Sequence, residues 1–232
     1  MNISKKNKVI RLLSILIVYF GIYSELLPIF LRKVTLALNP KAEYIDFNIA
    51  LACNIVIIVV VSILAYPWLK DGYLKIKDSM SDFYSCVAKN TALLLASSVV
   101  SSMIVNFITG METSNNQNNI NNSYEIAPFY LIFNVVIFAP IVEELVFRGA
   151  IFNLVKGKKN FWIANIISAF IFGFIHVSAS LYSGNYLDLT YIITYMSMGI
   201  VLGLAYKDSD SIFGSIAVHF VNNAIACLVM VI

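Results

Sequence analysis

The chain is poor in charge. Only 12% of its 232 residues are Asp, Glu, Lys or Arg, against about 25% in soluble globular domains. Its cysteines, Cys53, Cys86 and Cys227, are three in number, and two fall in apolar runs. An odd count so placed argues against a disulfide framework and leaves thiol chemistry no visible partner. No internal repeat recurs, and the gaps between apolar runs are too short to bury a core, so no separate soluble domain is expected. The net charge of +3 is modest and concentrated in one set of loops, which points to membrane topology rather than to nucleic acid.

Apolar sequence fills the space that charge leaves. Hydrophobic residues make up 59% of the chain, and its mean hydropathy is +0.81. Several runs reach the roughly 20 residues an α-helix needs to cross ~30 Å of hydrocarbon. Lipid offers the backbone no hydrogen-bond partner, so a spanning chain must be helical or a closed barrel, and these runs are unbroken rather than alternating. The expected fold is all-α, a polytopic transmembrane helix bundle of about seven spans, near 11–31, 45–66, 90–109, 128–154, 160–182, 189–206 and 211–232. The first run follows Lys5, Lys6, Lys8 and Arg11 as a signal peptide would. It is too long for one and no small-residue cleavage site follows, so an uncleaved span is expected.

Basic residues set the orientation. With the N-terminus in the cytoplasm, the inner segments hold Lys5, Lys6, Lys8, Arg11, Lys70, Lys75, Lys77, Lys89, Lys156, Lys158, Lys159 and Lys207, and the outer ones hold Arg32, Lys33 and Lys41. Twelve against three predicts a multi-pass plasma-membrane protein, N-terminus inside. Between Leu69 and Lys89 the positions Met80, Phe83, Tyr84 and Val87 follow helical spacing in a charged context, which predicts a segment lying along the cytoplasmic surface. The asparagine-rich stretch Ser114–Ser123 reads as a flexible, solvated connector. Residues 1–127 are thus expected to supply N-terminal spans with that interfacial segment, and 128–232 a catalytic helical core.

A charged side chain near the bilayer centre costs at least ~2.5–3.5 kcal/mol, so each one needs a reason. The fourth span holds Glu143, Glu144 and Arg148, the fifth His176, and the seventh His219 and Asn223; both histidines of the chain are among them. Glu144 and Arg148, four apart, share a helix face and can pair. Glu143 points about 100° away from Glu144 and keeps no such partner, which makes it a candidate general base. Pro140 removes a backbone hydrogen bond just before the carboxylates and predicts a local opening for water. His219 and Asn223, also four apart, face a common point, and Phe172 stacks above His176 at the same interval. Depths of roughly 18, 24 and 13 Å for Glu143, His176 and His219, at 1.5 Å per residue from the lysine-rich ends, are compatible. Glu25, near Pro28 in the first span, belongs to no such set and reads as interfacial or structural.

Three motifs now stand in order on separate spans. Glu143-Glu144-Leu145-Val146-Phe147-Arg148 resembles EExxxR, Phe172 to His176 resembles FxxxH, and His219 to Asn223 resembles HxxxN. Together, over about residues 128–232, they resemble the CPBP family of CAAX prenyl endopeptidases and bacteriocin-processing or self-immunity proteins, also called the Abi domain. The resemblance implies an intramembrane endopeptidase in which Glu143 activates water, His176 holds and polarises it, and His219 and Asn223 stabilise the oxyanion, with Glu144, Arg148 and Phe172 in support. The family is described both as metal-dependent and as glutamate-dependent. The cofactor expectation is therefore either none or a divalent metal such as zinc on Glu143, His176 and His219. Asn223 suits an oxyanion donor better than a zinc ligand and favours the metal-free form. The expected partners are lipid and a peptide or protein substrate cut near the cytoplasmic side, with no nucleic acid. High Asn, Ile and Lys usage suggests a bacterial chain, for which bacteriocin or signalling-peptide processing, or self-immunity, fits better than a prenylated substrate. The rival expectations are a non-catalytic immunity protein or sensor-kinase regulator, and a proton-coupled transporter.

Overall fold

The computed structural model describes residues 4–157 and 160–231, so Lys158 and Lys159 of the charge tally and Ile232 of the core segment lie outside the described residues. Among the described residues there is no strand, and seven helices are long and apolar enough to cross a membrane. In order these spans are Lys6–Leu38, Phe47–Asp78, Met80–Thr109, Pro128–Lys156, Phe161–Ser183, Tyr186–Asp208 and Ile212–Met230. Their outward faces are apolar. Phe107, Phe129 and Tyr182 are 91%, 90% and 93% exposed at the same end of the bundle, as suits lipid and its interface.

The stretch 69–89 is not a separate surface helix. It forms the adjoining ends of the second and third spans, which meet at Ser79, where the backbone leaves the helical conformation. Its charges explain the difference, because they are used against the turn between the sixth and seventh spans. Lys75 pairs with Asp210 at 2.9 Å and Lys89 with Asp208 at 2.7 Å. Gly72 lies so close to that turn that a Cβ would stand 2.6 Å from Ser211 Oγ.

Proline inside a spanning helix orphans a carbonyl, and lipid cannot satisfy it. Pro67 lies within the second span and has no N–H for the carbonyl of Ile63. Arg11 of the first span donates to that oxygen and to Leu64 O, both at 3.1 Å. The first span also packs on the fourth. Tyr19 meets Phe147 edge to face at 6.2 Å between centroids, and Tyr23 meets Phe138 at 4.8 Å. The fifth and sixth spans approach closely through small residues: a Cβ on Gly199 would stand 2.9 Å from Ala169 Cα, and one on Gly173 2.9 Å from Met196 N.

The asparagine-rich stretch is ordered as the helix Asn115–Ile126. Ser114 caps it by accepting from Gln117 N–H at 3.1 Å. The fully buried Asp188 ties its start to the first turn of the sixth span and the end of the fifth, accepting from Asn115 N–H at 2.8 Å and from Ser180 Oγ at 2.6 Å. Composition alone reads such a stretch as solvated loop; the cap and the distant carboxylate supply the order.

Candidate functional site

The fourth span leaves regular α-helical spacing twice, over Phe133–Phe138 and Leu145–Phe152, where the turns widen to i→i+5. Such bulges rotate side chains relative to a regular helix and free backbone groups. Ala139 N–H bonds Asn134 O, so the next bond in that register would need the N–H that Pro140 lacks. The orphaned acceptor is Val135 O, and Asn223 of the seventh span donates Nδ2 to it at 2.8 Å. In the second bulge Ser168 Oγ donates to Phe147 O at 2.8 Å, and Asn153 Nδ2 donates to Arg148 O, also at 2.8 Å.

Glu144 and Arg148 are buried to 0% and 1% exposure. Arg148 donates Nη1 to Glu144 Oε1 at 2.8 Å and Nη2 to the carbonyl of Gly199 at 2.6 Å. The pair has a third member. His219 Nδ1 lies 3.0 Å from the same Glu144 Oε1, and because a carboxylate next to arginine can only accept, Nδ1 carries the proton and Nε2 faces away. Glu144 therefore orients a histidine as well as balancing an arginine, a link that i,i+4 spacing could not reveal because His219 is seventy-five residues distant.

His176 is oriented in the same manner by its own helix. Its Nδ1 donates to Phe172 O at 2.7 Å, leaving Nε2 with the lone pair. Phe172 is packed among all of these groups, with Arg148 5.1 Å from its ring centroid and the centroids of His176 and His219 at 4.5 and 6.1 Å. Glu143 is half-buried, and its Oε2 has no hydrogen-bond partner among the described residues. Glu143, Phe172, His176, His219 and Asn223 all line one cavity of about 730 Å³. Glu144 and Arg148 lie behind its wall. Glu25 is exposed and lines no part of it.

Sequence reading missed several groups. Tyr195 stacks on His176 at 4.7 Å, and its hydroxyl meets Ser114 Oγ at 2.7 Å and Asn116 Nδ2 at 3.2 Å; nothing in its sequence context marks it. Asn222 lines the cavity and donates to Asn223 Oδ1 at 3.0 Å, while Asn223 gives one of its two amide hydrogens to Val135 O and keeps the other free. Asn134 also lines it and accepts from Asn54 of the second span at 3.0 Å. Both are amides within apolar runs, which was a usable signal. As for a metal, no three His, Cys, Asp or Glu side chains among the described residues converge to share one ion. The donors as arranged do not fit one.

Comparison with known proteins matches residues 125–225 to the family model described as type II CAAX prenyl endopeptidase Rce1-like. The matched segment contains the Glu143, His176, His219 and Asn223 positions described above. The chain is 26% identical over 174 residues to a putative membrane peptidase YdiL of Bacillus subtilis, an alignment covering 75% of this chain and 66% of that one. It is 30% identical over 131 residues to the membrane-embedded CAAX protease MroQ of Staphylococcus aureus, covering 54% and 49%. It is 25% identical over 142 residues to the UPF0177 protein YvdC of Lactococcus lactis, covering 61% and 51%. The chain thus spans about half to two thirds of the length of these relatives. No solved structure matches it.

Proposed function

We propose that the chain is a bacterial intramembrane endopeptidase that hydrolyses a peptide bond in a membrane-associated peptide or protein, with its N-terminus in the cytoplasm. The observation that carries this reading is an unpartnered glutamate lining one polar cavity together with two histidines whose Nδ1 atoms are already held. Glu143 accepts a proton from water while His176 Nε2 accepts the second water hydrogen and aims the oxygen. The oxygen attacks the scissile carbonyl carbon. Negative charge then develops on the carbonyl oxygen, which the free amide hydrogen of Asn223 and the ring of His219, oriented by Glu144, stabilise. The C–N bond breaks, and Glu143 returns its proton to the leaving amine. Processing of a bacteriocin or signalling-peptide precursor, or self-immunity, is the substrate context we favour over a prenylated chain.

The test compares membrane and secreted peptides, by mass spectrometry, from cells producing the wild type or Glu143→Gln. A precursor that accumulates uncut only in the variant supports the reading, and identical peptide profiles sink it. Survival of a protective or signalling phenotype in Glu143→Ala and His176→Ala would favour a binding role instead.

A further inference from the structure

The cavity has one closed end. Toward the lysine-rich ends of the helices every residue from Leu145 to Phe152 is buried, with Arg148 clamped between Glu144 and the Gly199 carbonyl. On the other side of Pro140 lies a separate pocket lined by aliphatic and aromatic side chains, among them Tyr73, Phe83, Ile137, Phe213 and Phe220. At the opposite end the cavity reaches the helix Asn115–Ile126, the start of the sixth span and the end of the seventh. Its walls there carry neutral hydroxyls and amides from Ser98, Ser102, Asn116, Gln117, Asn119 and Ser123. Gln117, Asn119 and Ser123 are exposed at the rim. Among the described residues no lysine or arginine lines the cavity, and Glu112 is the one charged rim residue.

An extended peptide presents one N–H and one C=O per residue and needs closely spaced donors and acceptors rather than fixed charges. Amide and hydroxyl side chains supply both. The volume of about 730 Å³ lies within the usual ~300–1,000 Å³ of ligand sites. By the positive-inside rule this mouth opens on the non-cytoplasmic side, since the connection from Gly110 to Ala127 holds Glu112 and Glu125 but no Lys or Arg. That is opposite to the cytoplasmic-side cleavage expected with the endopeptidase resemblance.

We infer that the rim formed by the asparagine-rich helix with Ser98 and Ser102 is the substrate subsite, and that it takes an extended, polar peptide segment entering from the lysine-poor, non-cytoplasmic face. This rests on the endopeptidase reading of the same cavity. Tyr195 is the positioning residue between the two, since it touches Ser114 and Asn116 at the rim and stacks on His176.

Two measurements test the inference. Ser102→Cys and Gln117→Cys, each in protein whose Cys53, Cys86 and Cys227 are replaced by alanine, are treated with a membrane-impermeant maleimide on intact cells and on inverted vesicles. Labelling in intact cells is expected at both positions, and labelling from inverted vesicles alone overturns the proposed face. In a second arm, Glu143→Gln protein carries photoreactive benzoylphenylalanine at position 117 or, in the apolar pocket, at position 73. Crosslinking to an uncut polypeptide from 117 is expected; crosslinks from 73 with none from 117 overturn the subsite. Labelling does not depend on catalysis, so the two ideas fail separately. Inner-face labelling with Glu143-dependent products intact rejects only the access route, whereas outer-face labelling without such products rejects only proteolysis.

Discussion

Glu143 and Glu144 are adjacent and chemically identical, yet the same amide substitution should have opposite consequences at the two positions. Glu144 is fully buried and its Oε1 is shared by Arg148 at 2.8 Å and His219 at 3.0 Å. Glu144→Gln removes one charge of a buried pair and strands the other, a change that costs about 3–5 kcal/mol. In a chain of this size each kcal/mol shifts the unfolding midpoint by roughly 2–4 °C, so a fall of about 6–20 °C is expected. Glu143 Oε2 has no partner to lose, so Glu143→Gln should stay within about 0.5 kcal/mol of the wild type, which shifts the midpoint by about 2 °C at most. Thermal unfolding of the purified proteins in the same detergent, followed by tryptophan fluorescence, gives both numbers. The double variant Glu144→Leu/Arg148→Met removes both charges and should recover much of the loss. Equal losses for the two single variants would refute the division of labour between the adjacent carboxylates. So would a double variant less stable than Glu144→Gln.

Gly199→Ala should lower stability by about 1–3 kcal/mol, because the new methyl meets backbone that cannot rotate away; an unchanged melting midpoint would contradict the close approach of the fifth and sixth spans. Tyr195→Phe keeps the stack on His176 but loses the hydrogen bonds to Ser114 and Asn116, a net ~1–1.5 kcal/mol. Hydrogen exchange over residues 114–123 should then quicken by up to about tenfold, and exchange at the wild-type rate would show that Tyr195 does not hold the cap. A strong chelator such as 1,10-phenanthroline should leave cleavage by the purified protein unchanged; a reversible loss restored by zinc would return the metal to the site.

Much of the fold was legible because the membrane makes it so. Seven unbroken apolar runs admit few alternatives to seven helices, and each expected run overlaps one of the observed spans. The ends were less legible. Lys75 and Lys89 lengthen the second and third helices through ion pairs with Asp210 and Asp208, contacts more than a hundred residues apart that no local pattern encodes. The helix Asn115–Ile126 was hidden for a similar reason, since the buried Asp188 that anchors it is seventy-three residues away. Within the site, intramembrane cost alone singled out Glu143, Glu144, Arg148, His176, His219 and Asn223. What it could not supply was their connectivity. The Glu144–His219 contact, the Val135 carbonyl freed by Pro140 and taken by Asn223, and Tyr195 against His176 all depend on how helices pack. Pro140 was read as a local opening before the carboxylates; that the carbonyl it frees would be taken by Asn223 of the seventh span was not legible.

The central claim is that Glu143 activates water for peptide hydrolysis, and isotope transfer tests it most directly. Wild type and Glu143→Gln would be reconstituted in liposomes with a peptide precursor identified from cells, in water enriched in oxygen-18. The account predicts one oxygen-18 atom in the new C-terminal carboxylate of the wild-type product and no product from the variant. Turnover by Glu143→Gln at the wild-type rate, or a product free of the label, would contradict it.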